Sequence, residues 1–231
     1  GKPLEEVAKP DFAATDTIPV PACYDMMPKW YMKRGTGLYR RTFTLAAPMK
    51  DAVLVVDGMG VRAKFEIDGK SLGVHPYPYA RLEVPVGHLS AGEHTIFAAV
   101  DNTLAWPQVK MARPYYDFYL YGGFYHGVKL VERKPKVFVR TLDYRTGKIE
   151  VQVEGGEKKT MTVPDFKCWS PEEPNLTTIE VAGRKVRFGI RQIEARNRKI
   201  YLNGKEIFLK GFNRHESDWL NGAATGEAVM L

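Results

Sequence analysis

Val61-Arg62-Ala63-Lys64-Phe65-Glu66-Ile67-Asp68-Gly69-Lys70-Ser71-Leu72-Gly73-Val74 decides the fold class of this 231-residue chain. From Val61 to Ile67 the odd positions are apolar and the even positions charged. A period of two sends successive side chains to opposite faces, so the run predicts a half-buried strand. Asp68-Gly69 supplies the positive φ angles of a tight hairpin turn, and Lys70 to Val74 returns. The pattern recurs along the chain. Ile149, Val151 and Val153 alternate with Glu150, Gln152 and Glu154, and Tyr201 to Ile207 forms a second hairpin with Asn203-Gly204 at its tip. Ala52 to Val56 and Thr95 to Val100 are continuous apolar runs, expected for strands covered on both faces. Helical periodicity is nearly absent until Ala223 to Leu231, where a helix is able to start. The 15 prolines and 21 glycines fall largely between the strand runs, as turns require. The chain therefore reads as all-β, built of sandwiches or barrels with short strands.

Composition is that of a globular protein, with 44% hydrophobic and 26% charged residues. The longest apolar runs, Ala52–Val56 and Ile96–Val100, fall far short of the ~18 residues of a membrane span, so no membrane partner is expected. The opening GKPLEEVAKP has no apolar segment of a signal peptide. A chain whose signal was removed looks the same, which leaves the compartment open: periplasmic or secreted in that case, cytoplasmic otherwise. Two cysteines, Cys23 and Cys168, are too few for a disulfide scaffold and read as buried thiols. The net charge of +7 is spread over short basic groups such as Arg40-Arg41, Lys158-Lys159 and Arg184-Lys185, broken by acidic neighbours. With no zinc-finger spacing, basic helix or RNA-binding aromatic motif beside it, this charge does not indicate a nucleic-acid partner.

Boundaries are expected near Lys134-Pro135-Lys136 and near Gly189 to Arg191. They divide the chain into residues 1–135, 136–190 and 191–231. The first is a comfortable size for one sandwich. The second is small for an independent two-sheet domain. The third is a hairpin followed by loop. Gly35-Thr36-Gly37 precedes a strand and lacks a third glycine, so it is a turn rather than a phosphate loop. The histidines are scattered, and His215-Glu216 lacks the second histidine of a zinc helix; no metal and no cofactor are expected. There is no Gly-x-Ser-x-Gly elbow. Asn175-Leu176-Thr177 fits a glycosylation acceptor.

Two stretches carry chemistry. Tyr115-Tyr116-Asp117-Phe118-Tyr119-Leu120-Tyr121-Gly122-Gly123-Phe124-Tyr125-His126 sets flat rings around one carboxylate. Such a surface suits a sugar, whose apolar face stacks on rings while Asp117 accepts from hydroxyls. An aromatic core strand with Asp117 capping a turn explains the same residues. Gly211-Phe212-Asn213-Arg214-His215-Glu216-Ser217-Asp218 crowds amide, guanidinium, imidazole and carboxylate groups after the apolar strand Ile207 to Leu209. A strand opening into a polar cluster is where barrel active sites are built; a solvated loop is the alternative.

At these stretches the sequence resembles glycoside hydrolase family 2, the β-galactosidase and β-glucuronidase group. Matching segments follow in order: Ile18 to Tyr24, Gly37 to Phe43, Asp68 to Gly73, Val100-Asp101-Asn102, Trp169 to Leu176, Phe188 to Arg191, and Asn203-Gly204-Lys205 through Gly211-Phe212-Asn213-Arg214-His215-Glu216. Asp117-Phe118 with Tyr121-Gly122-Gly123 tilts the resemblance toward the glucuronidase side. It implies a jelly-roll, galactose-binding-like sandwich, then a shortened immunoglobulin-like sandwich, then the first hairpin and strand of a (β/α)8 barrel. Against the family, the middle domain is short and its joins near Gly155-Gly156 and Thr177-Thr178 are abrupt.

The family's mechanism is retaining, with two glutamates ~5–5.5 Å apart. Its acid/base Glu follows an Asn, and no Asn-Glu pair occurs here, so the chain taken alone is expected to lack the catalytic carboxylates. By resemblance Asp117 contacts substrate hydroxyls over the barrel rim, His215 lies near the sugar, and Arg214 orients carboxylates beside Glu216. These four are the expected substrate-binding residues, meeting in one cleft, and the expected partner is a β-linked glycoside or oligosaccharide. A stand-alone carbohydrate-binding module is the competing reading, and self-association into a homo-oligomer stays open.

Overall fold

The computed structural model describes Leu4 and residues 16–76, 80–103, 119–214 and 216–226. The chain forms two compact units, Gly1–Arg133 with Arg214–Leu231, and Lys134–Asn213. Among the described residues the regular structure is β, interrupted by two single-turn 3-10 helices, Tyr24–Met26 and Pro28–Trp30. Of Ala223 to Leu231, where a helix is able to start, Ala223 to Gly226 are not helical and 227–231 lie outside the described residues.

In the first unit the strands are β1 (Ala22–Cys23), β2 (Thr36–Leu45), β3 (Met49–Val56), β4 (Arg62–Ile67), β5 (Lys70–His75), β6 (Leu82–Leu89), β7 (Gly92–Asp101), β8 (Gly123–Phe124) and β9 (Val128–Glu132). They form antiparallel sheets ordered β2-β7-β4-β5 and β6-β3-β9, with β1 paired to β8. One core joins the two larger sheets: Ala52, Leu54 and Val56 of β3 and Val84 and Val86 of β6 pack with Ala63, Phe65 and Ile67 of β4 and Ala98 and Val100 of β7. Interleaved apolar faces of two antiparallel sheets make a sandwich. The β4–β5 turn is as expected, with Asp68 at φ 50° and Gly69 at 81° and Ile67 facing Lys70.

The charged face of β4 departs from the expectation of a half-buried strand. Arg62 and Glu66 are buried and Lys64 is partly so. β4 lies between β7 and β5, and Leu4, Phe97 and Ala99 form a second small core, packed with Leu38 and Val74, on that side of the sheet. Charges enclosed this way require partners. The Arg62 Nε lies 2.9 Å from Asp101 Oδ2, and the Lys64 ammonium 3.1 Å from Glu66 Oε1.

The second unit holds β10 (Val137–Asp143), β11 (Lys148–Val153), β12 (Lys158–Thr162), β13 (Thr177–Val181), β14 (Arg184–Phe188), β15 (Ile193–Arg196), β16 (Lys199–Leu202) and β17 (Lys205–Ile207). A β10-β11-β12 sheet and the β13-β14 hairpin share one core of Ile149, Val151, Val163, Ile179 and Ile190. Five strands over one small core make the shortened sandwich. The chain passes Gly155-Gly156 in a tight turn, the Gly156 amide donating to the Val153 carbonyl at 2.8 Å. The Asn175 amide donates to the Cys168 carbonyl at 3.1 Å. β15-β16-β17 is a meander whose Asn203-Gly204 turn has φ 49° and 78°, as expected for the second hairpin. Strand pairing stops at Ile207. Phe208 and Leu209, expected to extend it, are 85% and 69% exposed and have no ladder partner among the described residues, without which apolar residues do not make a strand.

Candidate functional site

Asp117 and His215, two of the four expected binding residues, lie outside the described residues. Arg214 and Glu216 are described: Arg214 Nε lies 3.1 Å from Glu216 Oε1, with both side chains about half exposed. Asp218, in the same polar cluster, organises its own turn. Its Oδ1 accepts from the Leu220 and Asn221 amides, both at 2.8 Å, and these bonds, the Asn221 amide's first, hold the carboxyl below its ordinary range. Phe212 and Trp219 flank the cluster almost fully exposed.

The described part of the aromatic stretch divides between the two readings open to it. Leu120, Phe124 and Tyr125 are buried, Phe124 in the main core. The Tyr125 hydroxyl donates to the Tyr121 carbonyl at 2.6 Å. Tyr119 and Tyr121 remain partly exposed and meet edge to face at 5.0 Å, and the Arg34 guanidinium stacks 4.7 Å over Tyr119.

Beneath these rings sits a polar centre that pattern reading missed. Asp25 is fully buried. Its carboxylate accepts from the Gly122 amide, 3.0 Å from each oxygen, and from the Asn102 side-chain amide at 2.9 Å. The Tyr119 hydroxyl faces the same carboxylate but falls outside strict hydrogen-bond geometry. Asn102, also fully buried, accepts from the Gly35 amide through Oδ1 at 2.9 Å and from Arg34 through its carbonyl. Tyr24 lies against Gly122 so closely that any side chain there would overlap its ring, and its hydroxyl donates to the Gly35 carbonyl at 2.8 Å. Desolvation raises the Asp25 carboxyl, and the Gly122 amide chief among its donors draws it back. The only signal in the sequence was one acidic residue in the otherwise uncharged run Cys23-Tyr24-Asp25-Met26-Met27.

The turn at Asp218–Gly222 lies on this centre. Gly222, at φ 60°, touches Tyr121 and Met26 where a side chain would clash. The Cys23 sulfur lies beside the Ala223 and Ala224 backbone, and desolvation pushes its thiol up to about 12, so it is a protonated packing group, not a nucleophile. Gly222 thus meets Tyr121 and Met26, while the expected meeting of Asp117 and His215 lies outside the described residues. Among the described residues no group of three His, Cys, Asp or Glu side chains is placed to hold a metal.

Comparison with known proteins finds similarity along most of the chain. A family model, described as glycosyl hydrolases family 2, TIM barrel domain, matches residues 193–231. A putative β-glucuronidase of Formosa agariphila is 28% identical over 85% of this chain and 23% of its own length. A β-galactosidase of Priestia megaterium is 25% identical over 81% of this chain and 24% of its own. The crystal structure of a family 2 β-galacturonidase from Eisenbergiella tayi superposes with TM-score 0.69 and 27% identity, over 92% of this chain and 45% of that one. The chain thus spans about a quarter of the length of these curated relatives. The barrel match falls on the residues that carry the Asn203-Gly204 hairpin and the Arg214-Glu216 cluster, and β-glycosidase relatives align along most of the chain, so the similarity of this chain is to a fragment of the glycoside hydrolase family 2 enzymes.

Proposed function

We propose that this chain provides the sugar-binding jelly roll, the shortened immunoglobulin-like sandwich and the opening of the barrel of a retaining β-glycosidase, with a β-glucuronide or β-galactoside as substrate. The observation that carries the reading is the ordered motif series from Ile18 to Glu216 over two β units, with relatives named for β-glycosidase activities along it. Asp117 and His215 hold the hydroxyls of the sugar: a carboxylate accepts from two vicinal hydroxyls and a neutral imidazole donates to a third. Arg214 keeps a carboxylate in a bidentate fork that Lys does not reproduce. Its contact with Glu216 is half exposed, and pairs of that kind contribute only about 0–1 kcal/mol. The contact between the Asp218–Gly222 turn and Tyr121 supports one shared rim, since it joins the neighbours of both groups.

The test is Asp117→Ala in the full-length protein, assayed on nitrophenyl β-glucuronide and β-galactoside. Loss of two hydroxyl contacts to a charged acceptor, at about 1.5–3 kcal/mol each, lowers kcat/KM by about two to four orders of magnitude. An unchanged kcat/KM removes Asp117 from the site. The partly exposed Tyr119 and Tyr121 rings also suit a carbohydrate-binding module. That reading requires calorimetric binding of β-linked sugars with no turnover by the full-length protein.

A further inference from the structure

We propose that Asp25 is a positioning residue for the substrate rim: its buried carboxylate fixes both ends of the run that carries Asp117 and, through the same loop, the seat of the segment that carries Arg214 to Glu216. The proposal rests on the glycosidase reading above. Residues 104–118 lie between Asn102-Thr103 on one side and Tyr119 on the other. Asn102 donates to Asp25 from the first side at 2.9 Å, and Gly122 donates from the second at 3.0 Å. Both anchors therefore end on one carboxylate group, and the ends of the run are held together rather than left to the spread of a free loop. The next residue on each strand of this knot reaches the other segment. Tyr121, before Gly122, and Met26, after Asp25, are the two side chains against which Gly222 is seated.

The chemistry of the centre suits positioning. The groups around Asp25 are donors: the Gly122 N–H, the Asn102 NH2 and the facing Tyr119 hydroxyl. An ionised carboxylate, an acceptor at both oxygens, satisfies them together. The isosteric amide turns an NH2 toward the Gly122 N–H, which lies 3.0 Å from both carboxylate oxygens, or toward the Asn102 NH2, and so weakens at least one of the two anchors. Burying a carboxylate is an expensive way to hold a fold together. Here it sets the direction of loops that converge from three distant parts of the sequence.

The experiment compares wild type, Asp25→Asn, Asn102→Ala, Asp117→Ala and the Asp25→Asn/Asp117→Ala double variant in the full-length protein. Displacing a ground-state contact raises KM and leaves the chemical step nearly intact, so Asp25→Asn is expected to raise KM about 10- to 100-fold with kcat changed less than about threefold. Asn102→Ala, which keeps the carboxylate and loses one anchor, raises KM by a smaller factor. It replaces Asp25→Asn as the deciding variant if the latter shows no cooperative thermal transition. Because Asp25 acts through Asp117, the double variant should be no worse than Asp117→Ala alone. A lowered Tm with unchanged KM, or KM effects that multiply in the double variant, overturns the proposal. A wild-type protein that cleaves neither glycoside overturns the glycosidase reading instead. Hydrogen exchange then decides the anchoring: Asp25→Asn should speed exchange in peptides covering 119–124 and not in those covering 52–56, and equal rates at 119–124 overturn it.

Discussion

Arg62→Met separates the sequence reading of β4 from its structure by several kilocalories. On a solvated face the substitution changes stability by no more than about 0.5 kcal/mol. In the structure the Arg62 and Asp101 side chains are 8% and 3% exposed and 2.9 Å apart. Asp101 also accepts from the Thr103 amide at 3.1 Å and the Thr103 hydroxyl at 2.9 Å. Removing the guanidinium leaves that carboxylate buried with two neutral donors and no counter-charge, a loss of about 3–5 kcal/mol. Methionine keeps the apolar stem, so the loss reports the charge rather than a cavity. Equilibrium urea unfolding followed by circular dichroism is the assay, and at about 2 kcal/mol per molar the midpoint falls by about 1.5–2.5 M. The double variant Arg62→Met/Asp101→Leu should recover most of the loss, since replacing a whole buried pair by apolar groups is often neutral or better. A single-variant loss under about 0.5 kcal/mol would refute the buried-pair argument and restore the half-buried strand.

Two further outcomes test other parts of the fold. The His94 ring lies with Nδ1 2.7 Å from Asp68 Oδ2 and Nε2 2.9 Å from the Ser90 carbonyl, and the Asp68 hydrogen bond, foremost, raises its pKa above 6.5. A raised histidine stabilises the fold fully below the unfolded value and loses that contribution as pH rises through the folded one. The stability difference between wild type and His94→Gln should therefore shrink from pH 6 upward through neutrality, and a difference that is flat or grows with pH excludes the charged pair. Ile149 is fully buried in the small core of the second unit. Ile149→Ala should cost about 2–5 kcal/mol in urea unfolding, and a loss under about 1 kcal/mol would remove it from that core.

What the sequence made readable was local. Asp68-Gly69 and Asn203-Gly204 announce hairpins because few residue pairs accept two consecutive positive φ angles, and both turns form. Two other hairpin tips, Ala182-Gly183 and Asn197-Arg198, take the same conformation at φ 50° and 69° and at 49° and 60°. They escaped notice because neither pair is a common turn signal, and strand pairing on both sides holds them. Alternation likewise identified β4 as a strand, but a period of two says only that the faces differ. It does not say what covers them. The charged face of Arg62, Lys64 and Glu66 is closed by residues distant in sequence, Leu4, Phe97 and Ala99 among them, and no window along β4 contains that information.

The site follows the same division, and its physics explains why. Arg214, Glu216 and the aromatic stretch stand out because chemistry-bearing side chains are crowded in sequence. Asp25, Asn102 and Gly122 are each ordinary in their own surroundings. They become a centre only when the chain brings three loops together, and the hydrogen bonds of Asp25 cross 77 and 97 positions. Residues that touch substrate tend to cluster on loops, where a motif exposes them. Residues that hold those loops in place satisfy buried polar groups, and a buried polar group is recognisable only by its burial. Asp25 and Asn102 are both fully enclosed; Asp25 reads in sequence as an unremarked acid, and Asn102 only as the end of the Val100-Asp101-Asn102 match, with no sign of its burial. The support of the rim is therefore visible in the structure alone, as an acidic side chain with no exposure and every acceptor oxygen occupied by a donor from a different part of the chain.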